Sequence, residues 1–200
     1  MLNIANCIRE QLSVELSKND GIPVDAAAFK KLFIESWNLY EDSANLISKT
    51  LGFKHRRIAM IKRELAILLQ MDNRWGDMEE ALENARQVLR DQEFKEEMVK
   101  EKIRNCLESL STVSLMAIAV RNSGDDKRAR GEVTDKMIEL VGQLHDECDS
   151  DNKESKHIVE FIIGLEIYQR HCEEMKMNTT AINFMITQLK DLGEKEREAL

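Results

Sequence analysis

Apolar residues recur at every third or fourth position along nearly the whole chain, with polar and charged residues between them. This spacing places the apolar side chains on one face of an α-helix, whose period is about 3.6 residues. No stretch keeps up the alternation of apolar and polar residues that is typical of a half-buried β-strand. The pattern therefore predicts eight amphipathic helices, whose apolar stripes run over residues 2–16, 29–47, 58–69, 78–88, 94–120, 133–148, 158–172 and 182–192.

The apolar faces of these helices identify the residues that we expect in the core. The second helix carries four aromatic residues on the stripe Phe29, Phe33, Trp37, Tyr40, Ala44 and Ile47. Stripes of the same kind are Ile4, Ile8, Leu12 and Leu16 in the first helix, Ile58, Ile61, Leu65, Leu68 and Leu69 in the third, and Ile182, Met185, Leu189 and Leu192 in the last. Each stripe predicts a helix that packs against a neighbour.

Glycine, proline and clusters of polar residues mark where the helices end. The first break contains the single proline, Pro23, and Asp25 is the expected N-cap of the second helix, which Gly52 closes. Asp77, with Glu80 three residues later, predicts a capping box at the start of the fourth helix. Further breaks are predicted at residues 72–76, 122–125 and 149–152.

Residues 63–89 carry the pattern of a tight helical hairpin. Leucines lie on its first helix, a glycine in its predicted turn and small residues on its second helix; these are Leu65, Leu68 and Leu69, then Gly76, then Ala81 and Ala85. The segment resembles one hairpin of the tetratricopeptide repeat family. Residues 35–61 look like the second helix of an earlier unit, in the style of longer-helix members such as soluble attachment proteins and trafficking-complex subunits. The resemblance implies a curved helical scaffold that binds other proteins.

We therefore expect an all-α fold of about eight helices, in which antiparallel hairpins stack as a tetratricopeptide-like array or as an irregular helical bundle. The helices from residue 94 onward are longer than the roughly 34-residue period of the regular repeat allows. As domain organisation we predict one all-helical domain over residues 1–200. Within it, residues 1–92 form a tetratricopeptide-like layer, residues 93–193 a bundle of long helices and residues 194–200 a frayed tail.

Composition and charge restrict the class of protein and of partner. Of the 200 residues, 42% are hydrophobic and 33% are charged, which is typical of a soluble globular protein. The net charge of -8 at pH 7 makes nucleic acid and anionic membranes poor partners, because both are polyanions. The longest apolar runs, such as 115–120, are too short for a membrane span, and polar residues near the N-terminus argue against a signal peptide. We expect a cytoplasmic or nuclear protein.

The four cysteines, Cys7, Cys106, Cys148 and Cys172, are far apart and form no Cys-x-x-Cys pair. Such residues are typically small buried side chains in proteins of reducing compartments, and we expect no disulfide. Each lies within a predicted helix rather than at a helix N-terminus, where the pKa of a nucleophilic thiol is lowered. Nucleophilic catalysis by cysteine is therefore not expected.

Two spacings are those of metal ligands. Glu154 and His157 match one Glu-x-x-His unit of carboxylate-bridged di-iron bundles, which need a second unit that the sequence lacks. A zinc site on two helices has four candidate ligands, His145, Cys148, His171 and Cys172. Adjacent residues of a helix point about 100° apart, however, and make poor joint ligands. Because no glycine-rich phosphate loop occurs either, we expect no metal, no cofactor and no enzymatic site.

One basic cluster stands out in this acidic chain, at the predicted start of the third helix. With an aromatic residue of the next turn it forms the partner-binding surface that we predict, made of Lys54, Arg56, Arg57, Lys62, Arg63 and Trp75. The basic residues suit an acidic protein segment or a phosphate, and Trp75 either covers the hairpin core or stands exposed as an anchor. The alternative is a solvated face whose basic residues pair with nearby carboxylates. The same two interpretations apply to a second basic group, Lys127, Arg128 and Arg130.

These features predict a non-catalytic scaffold or adaptor that binds a segment of a partner protein in a helical groove. In this interpretation the partner buries apolar anchors, and Arg56 and Arg57 select acidic residues beside them. One alternative is a subunit of a larger obligate assembly. Another, from a different class, is a helical-bundle metal enzyme or small-molecule sensor with its site among the fifth to seventh helices. The oligomeric state does not follow from the sequence.

Overall fold

The structure is a computed structural model that describes residues 1–94, 98–149 and 157–198. Over these residues the chain consists of helices and turns without a β-strand, which confirms the predicted all-α fold class. Its eight long helices are α1 (Leu2–Lys18), α2 (Ala26–Leu51), α3 (Arg56–Met71), α4 (Trp75–Arg90), α5 (Val99–Asn122), α6 (Thr134–Asp149), α7 (Ile158–Glu174) and α8 (Thr180–Glu198). A short α-helical turn, Asp126–Arg128, and a π-helical turn, Ala129–Val133, lead into α6.

The chain divides into two compact units, which we call the N-terminal unit (Met1–Gln92) and the C-terminal unit (Glu93–Leu200). In the N-terminal unit α2 packs against both α1 and α3, α3 packs against α4, and α1 also touches α3. Short loops join these helices in order, so that consecutive helices run antiparallel. In the C-terminal unit α5, α6 and α7 pack against one another, and α8 packs on α7.

The ends of α2 are set by the residues that the sequence indicates. The Asp25 carboxylate accepts hydrogen bonds from the backbone N–H groups of Ala27 and Ala28, at 2.9 and 3.0 Å, as an N-cap does. At the other end Gly52 has a φ of 91°, a left-handed conformation that costs glycine no steric strain. Both predicted ends of this helix are confirmed.

The predicted stripes of α2 and α3 supply much of the core of the N-terminal unit. On α2, Phe29, Phe33, Tyr40 and Ala44 are buried, while Trp37 and Ile47 are half-buried. All five stripe residues of α3 are buried, namely Ile58, Ile61, Leu65, Leu68 and Leu69. The facing side of α4 contributes Met78, Ala81, Leu82, Ala85 and Leu89. The small alanines of α4 allow α3 to approach closely, as the hairpin pattern predicts.

Polar side chains fix the position of α1 on its neighbours. The buried Tyr40 hydroxyl donates a hydrogen bond to Asn6 Oδ1 at 2.7 Å, and Ser36 Oγ donates to the backbone carbonyl of Ala5 at 3.1 Å. Burial raises the pKa of Tyr40 to about 12, so its hydroxyl remains a hydrogen-bond donor at neutral pH. A shift of α1 along α2 would leave these buried groups without partners, which costs about 1–3 kcal/mol each.

The stripe of α1 differs from the predicted one. Its buried residues are Ala5, Ile8 and Leu12, whereas Ile4 is exposed and Leu16 is half-buried. Residues four apart on a helix are rotated by about 40° relative to each other, so a stripe built only from four-residue steps drifts off the buried face. The buried set instead combines a three-residue step with a four-residue step.

Two further predictions are corrected near the ends of the long helices. α5 begins at Val99 and not at Phe94. On α8 Ile186 is buried and the predicted Met185 is exposed, since the buried residues of this helix repeat one turn apart. α8 itself extends to Glu198, and the frayed tail stays a prediction.

The core of the C-terminal unit is formed by one face each of α5, α6, α7 and α8. Its buried residues include Ile103, Leu110, Val113, Ala117, Val120, Met137, Leu144, Phe161, Leu165, Cys172, Ile182 and Ile186. In the described part of the chain, α5 alone is long and apolar enough to cross a membrane by length and composition, and half of its most apolar stretch is buried inside the protein. A helix that lies in the core of a bundle has this composition as well.

A buried histidine connects α7 to the start of α6. His171 is 1% exposed, and its Nε2 lies 2.9 Å from Thr134 Oγ1. The Thr134 hydroxyl also lies 3.3 Å from the carbonyl of Ala129, and the tautomer of the ring decides which group donates in the contact with His171. Nδ1 of His171 is buried without a hydrogen-bond partner among the described residues. Burial lowers the pKa of His171, because the charged imidazolium is disfavoured there.

We expect the C-terminal unit to lose stability as the pH falls below about 6.5, the ordinary pKa of histidine. The unfolded chain takes up a proton at His171 near that pH, whereas the folded state resists protonation because its pKa is lowered. Acid therefore favours the unfolded state, and the contribution is complete above this pH. Denaturant unfolding at a series of pH values measures the slope, which His171→Gln should reduce. Equal slopes in the wild type and His171→Gln would contradict this prediction.

Candidate partner-binding groove

The six residues of the predicted partner-binding surface do not face one direction. Lys54 lies in the loop before α3 and Trp75 starts α4, while the other four lie on α3: Arg56, Arg57, Lys62 and Arg63. On a helix with 100° per residue, Arg57 and Lys62 point about 140° apart. The basic cluster of the sequence is therefore a set of separate positions in the structure.

Both lysines of the cluster are paired within the N-terminal unit. Lys54 Nζ lies 3.5 Å from Asp91 Oδ2, just after α4, and Lys62 Nζ lies 3.0 Å from Glu41 Oε1 on α2. Surface ion pairs of this kind contribute about 0–1 kcal/mol to stability. For these two residues the geometry matches the alternative interpretation, in which basic residues of a solvated face pair with carboxylates.

Arg57 differs from its neighbours on α3. It is exposed, and no side chain in the described residues pairs with its guanidinium, whereas Arg56 and Arg63 are half-buried and interact with other groups of the protein. The Arg57 backbone N–H donates to Nδ1 of His55, the N-cap of α3, at 3.2 Å. A positive side chain in the first turn of a helix is unfavourable, because the free N–H groups there carry partial positive charge. The charge of Arg57 therefore does not serve the stability of α3.

Arg57 forms part of the wall of a groove of about 530 Å³. The groove lies where the first turn of α1, the last two turns of α2 and the first turns of α3 meet. Its described lining consists of Met1, Leu2, Asn3, Ser43, Leu46, Ile47, Arg57 and Met60. Leu46 is 51% exposed and Met60 is 40% exposed, so apolar surface faces the solvent here. In this lining Arg57 is the one charged side chain.

The sequence pattern did not identify Leu46 and Met60 as groove residues. Each is adjacent to a stripe residue, Ile47 in one case and Ile61 in the other, and so appears as part of a broader apolar face. The extra width of these two apolar faces is the feature of the sequence that could have identified the groove. An apolar face that is wider than the surface covered by the neighbouring helices leaves an exposed apolar patch.

A second groove, of about 440 Å³, lies at the other ends of α1, α2 and α3. Its wall combines apolar side chains with Lys30, Asp72 and Arg74. The Arg74 guanidinium is already engaged, since it lies 5.0 Å from the centre of the Trp37 ring. Because this wall carries charges of both signs, it indicates no particular charge for a ligand.

Trp75 is the first residue of α4 and does not lie in the turn before it. Arg74 is the N-cap of α4, so Gly76 is also helical. The turn therefore covers residues 72–74 and not the predicted 72–76. The predicted capping box is corrected as well: Asp77 lies in the first turn, where its carboxylate accepts a hydrogen bond from Arg74 Nε at 2.6 Å, and Glu80 lies a turn further on. Trp75 is half-buried and is not part of the groove lining described above.

The candidate metal ligands do not converge in the part of the chain that the structure describes. No group of three His, Cys, Asp or Glu side chains there could hold a metal ion. His145 is exposed, and His171 is buried against Thr134. Glu154 lies outside the described residues, as does most of the predicted break at 149–152.

All four cysteines carry free thiols. Cys172 is buried, and Cys106 and Cys148 are half-buried, but the expectation of a buried side chain is wrong for Cys7, which is exposed on the outer face of α1. Burial raises the pKa of Cys106 to about 11 and that of Cys148 to about 12. These two thiols therefore stay protonated near neutral pH, the form that is neither nucleophile nor metal ligand.

The two arginines of the second basic group are paired with nearby carboxylates. Arg130 Nε lies 2.7 Å from Asp126 Oδ2, and Arg128 Nε lies 3.5 Å from Glu132 Oε2. These pairs link residues four apart on one helical segment, which is the usual arrangement of a solvated helix surface. The groove beside Arg57 thus remains the candidate site.

Relatives of known function do not help to interpret this groove. Comparison with protein-family models gave no match, and searches of the curated proteins and of the solved structures likewise gave no match. The resemblance to a tetratricopeptide hairpin therefore stays a prediction, and the function has to be argued from the geometry of the groove.

Proposed function

We propose that this protein is a non-catalytic binding module whose groove beside Arg57 receives an apolar, acidic segment of a partner protein. One observation carries the proposal: exposed apolar side chains, Leu46 and Met60, line the same groove as an arginine that lacks a partner among the described residues. The lining offers apolar contact and one charged side chain, and it contains no cluster of nucleophilic or titratable side chains. Such a surface suits binding rather than a chemical reaction.

Apolar contacts account for most of the expected affinity. Removing apolar surface from water contributes about 25 cal/mol per Å², so a partner that covers Leu46, Ile47 and Met60 gains free energy from both sides of the contact. Part of that gain offsets the entropy lost on association. A partner with two or three apolar anchors buries enough apolar surface to exceed this entropy loss more readily than a partner with a single exposed side chain.

Arg57 accounts for the choice among apolar partners. The protein has a net charge of -8, so its average surface repels an acidic segment. A carboxylate placed beside Arg57 gains a local attraction that an uncharged or basic segment does not have. Charge complementarity of this kind fixes the orientation and specificity of a complex more than its total affinity.

A second candidate function is that of a subunit in a larger obligate assembly. The observation that favours it is apolar exposure on three helices of the C-terminal unit, at Ile138, Val159, Ile163, Phe184 and Met185. Obligate interfaces are large and more apolar than transient ones. Light scattering of the purified chain over a range of concentrations tests this candidate, since a stable monomer that does not aggregate would argue against it.

We expect Arg57→Glu to weaken partner binding while it leaves the fold intact or slightly more stable. Reversing one exposed charge at a contact changes affinity roughly 3- to 10-fold, and the loss should shrink as salt screens the charges. The same change places a negative charge in the first turn of α3, which stabilises a helix by about 0.3–1 kcal/mol. Substitution of a residue with only a structural role would not lower the affinity for the partner and raise the stability of the fold at the same time.

The measurement uses a partner captured from cell extract on the immobilised chain and identified by mass spectrometry. Titrations at low and high salt compare the wild type, Arg57→Glu and the control Arg90→Glu, which changes an exposed arginine on α4 outside the groove. Thermal melts of the same proteins report stability. Unchanged affinity of Arg57→Glu at low salt would show that the groove is not where the partner binds.

A further inference from the structure

The groove beside Arg57 offers an incoming chain very few hydrogen-bond partners. Most of its lining is apolar, and the Ser43 hydroxyl already donates to the backbone carbonyl of Leu39 at 2.7 Å. The wall residues on α2 and on α3 lie within helices, so their backbone N–H and C=O groups are engaged in helical hydrogen bonds. At the start of α3 the N–H of Arg57 is taken up by His55. The α1 end differs, because the Asn3 amide and the first N–H groups of α1, which no side chain caps, are available there. Over the α2 and α3 walls the backbone of a bound segment must therefore satisfy its own polar groups.

This requirement distinguishes the possible conformations of the bound segment. An extended peptide in the groove would lose water from its N–H and C=O groups without replacement, at a cost of about 1–3 kcal/mol for each buried group. Extended segments usually bind by adding to the edge of a sheet, and the described residues contain no strand that could offer one. An α-helix pairs its backbone groups internally and presents only side chains. The lining therefore favours a helical occupant.

The size and charge of the groove specify that helix further. A volume of about 530 Å³ takes the side chains of one or two helical turns, presented at positions i, i+3 or i+4 of one face. Arg57 lies on the wall shared with Met60, three residues away on the same helix. A carboxylate one turn from the inserted anchors can thus reach the guanidinium while the anchors cover Met60.

We infer that the occupant is an amphipathic α-helix of a partner protein, with apolar anchors on one face and an Asp or Glu beside them that pairs with Arg57. This inference rests on the proposed function and adds the conformation and charge pattern of the partner. It differs from a general preference for acidic proteins, because it requires the helical spacing of the anchors and one particular contact.

The test selects peptides on the immobilised 200-residue chain from two displayed libraries. Both contain 16-residue peptides with apolar residues at positions 5, 8, 9 and 12 and all residue types elsewhere; the second library also has proline fixed at positions 7 and 10, which prevents a helix. We expect binders from the first library alone, enriched in Asp or Glu next to the anchors. Binders from the proline library would overturn the helical occupant, and an absence of binders from both libraries would instead remove the proposed function.

Charge exchange then tests the contact with Arg57. For the best binder, Arg57→Glu should reduce affinity roughly 3- to 10-fold, and a peptide with its acidic residue changed to Lys should recover most of that loss on the Arg57→Glu protein. Leu46→Asp should abolish binding, whereas the control Ile138→Asp, at another exposed apolar residue, should not. No recovery by the Lys peptide would overturn the assigned pairing, and full binding to Leu46→Asp would overturn the assigned groove.

Discussion

Replacement of Leu65 by alanine is expected to lower the free energy of unfolding by about 2–5 kcal/mol. Leu65 is 3% exposed and lies in the middle of the buried stripe of α3, between Ile61 and Leu69. α3 packs against α1, α2 and α4, so a buried position on this helix leaves a cavity inside the packed unit when its side chain is shortened. The cost combines the lost burial of the side chain with the cavity that remains.

A substitution on the other face of the same helix provides the control. Met60→Ala removes a side chain of similar size that is 40% exposed, so stability should change much less, by about 0.5 kcal/mol. Binding should show the reverse order, since Met60 lines the groove and Leu65 does not. Urea unfolding and a peptide titration on both variants measure the two quantities. A cost below about 1 kcal/mol for Leu65→Ala would mean that this part of the core is loosely packed.

The contrast between these two residues shows which part of the fold follows from the sequence. α3 has neighbours on several sides, so its apolar stripe is broad and regular, and the periodicity predicts five of its seven buried residues and misses only Ala59 and Ala66. α1 covers the edge of the unit and buries only a narrow face, at Ala5, Ile8 and Leu12. On such a helix a small residue such as Ala5 can occupy the core position while a larger neighbour, Ile4, points to solvent. Hydrophobicity alone does not show which of two neighbouring apolar residues on such a helix is buried.

Helix starts are predicted well only where one residue can act as the cap. Asp25 is followed by apolar residues, and it caps α2 as expected. Before α4 several polar residues occur in succession, and an aspartate is favourable both as N-cap and in the first turn. The structure places Asp77 in the first turn and begins the helix at Trp75, because α3 ends in a turn of only three residues, 72–74. The local sequence is compatible with either start.

The groove could not be predicted, because it depends on which residues of three helices meet. Arg57 belongs to a basic cluster that the sequence does show, but the cluster gives no reason to separate it from Lys54 or Lys62. The separation comes from the positions of Asp91 and Glu41, which neutralise the two lysines and leave Arg57 beside exposed apolar surface. These acidic residues are distant in the sequence from the groups they pair with, so no local pattern identifies the pairs.

The second large effect on stability is expected from a substitution of Gly164 on α7, because the C-terminal unit is closely packed at this position. A Cβ atom at this position would overlap with Leu144 Cδ2 and would lie 3.5 Å from Leu110 Cδ1. Both leucines are fully buried, so neither side chain can turn away without displacing other core residues. Overpacking of this kind costs about 1–3 kcal/mol, of which the better helix propensity of alanine returns up to about 1 kcal/mol. We therefore expect Gly164→Ala to destabilise the protein by about 1–2 kcal/mol.

Gly142 on α6 provides the matched comparison, because it is exposed and a Cβ atom there would meet nothing within 4 Å. Gly142→Ala should stabilise the protein by about 0.5–1 kcal/mol, since the propensity gain is not opposed by a clash. Denaturant unfolding of the two variants measures the difference in sign. A double variant identifies the cause: Leu144→Ala leaves space where the new methyl group would lie, so Gly164→Ala should cost less in that background than in the wild type. If Gly164→Ala stabilises the protein as Gly142→Ala does, or costs the same beside Ala at position 144, then α7 does not approach α6 as closely as the structure indicates.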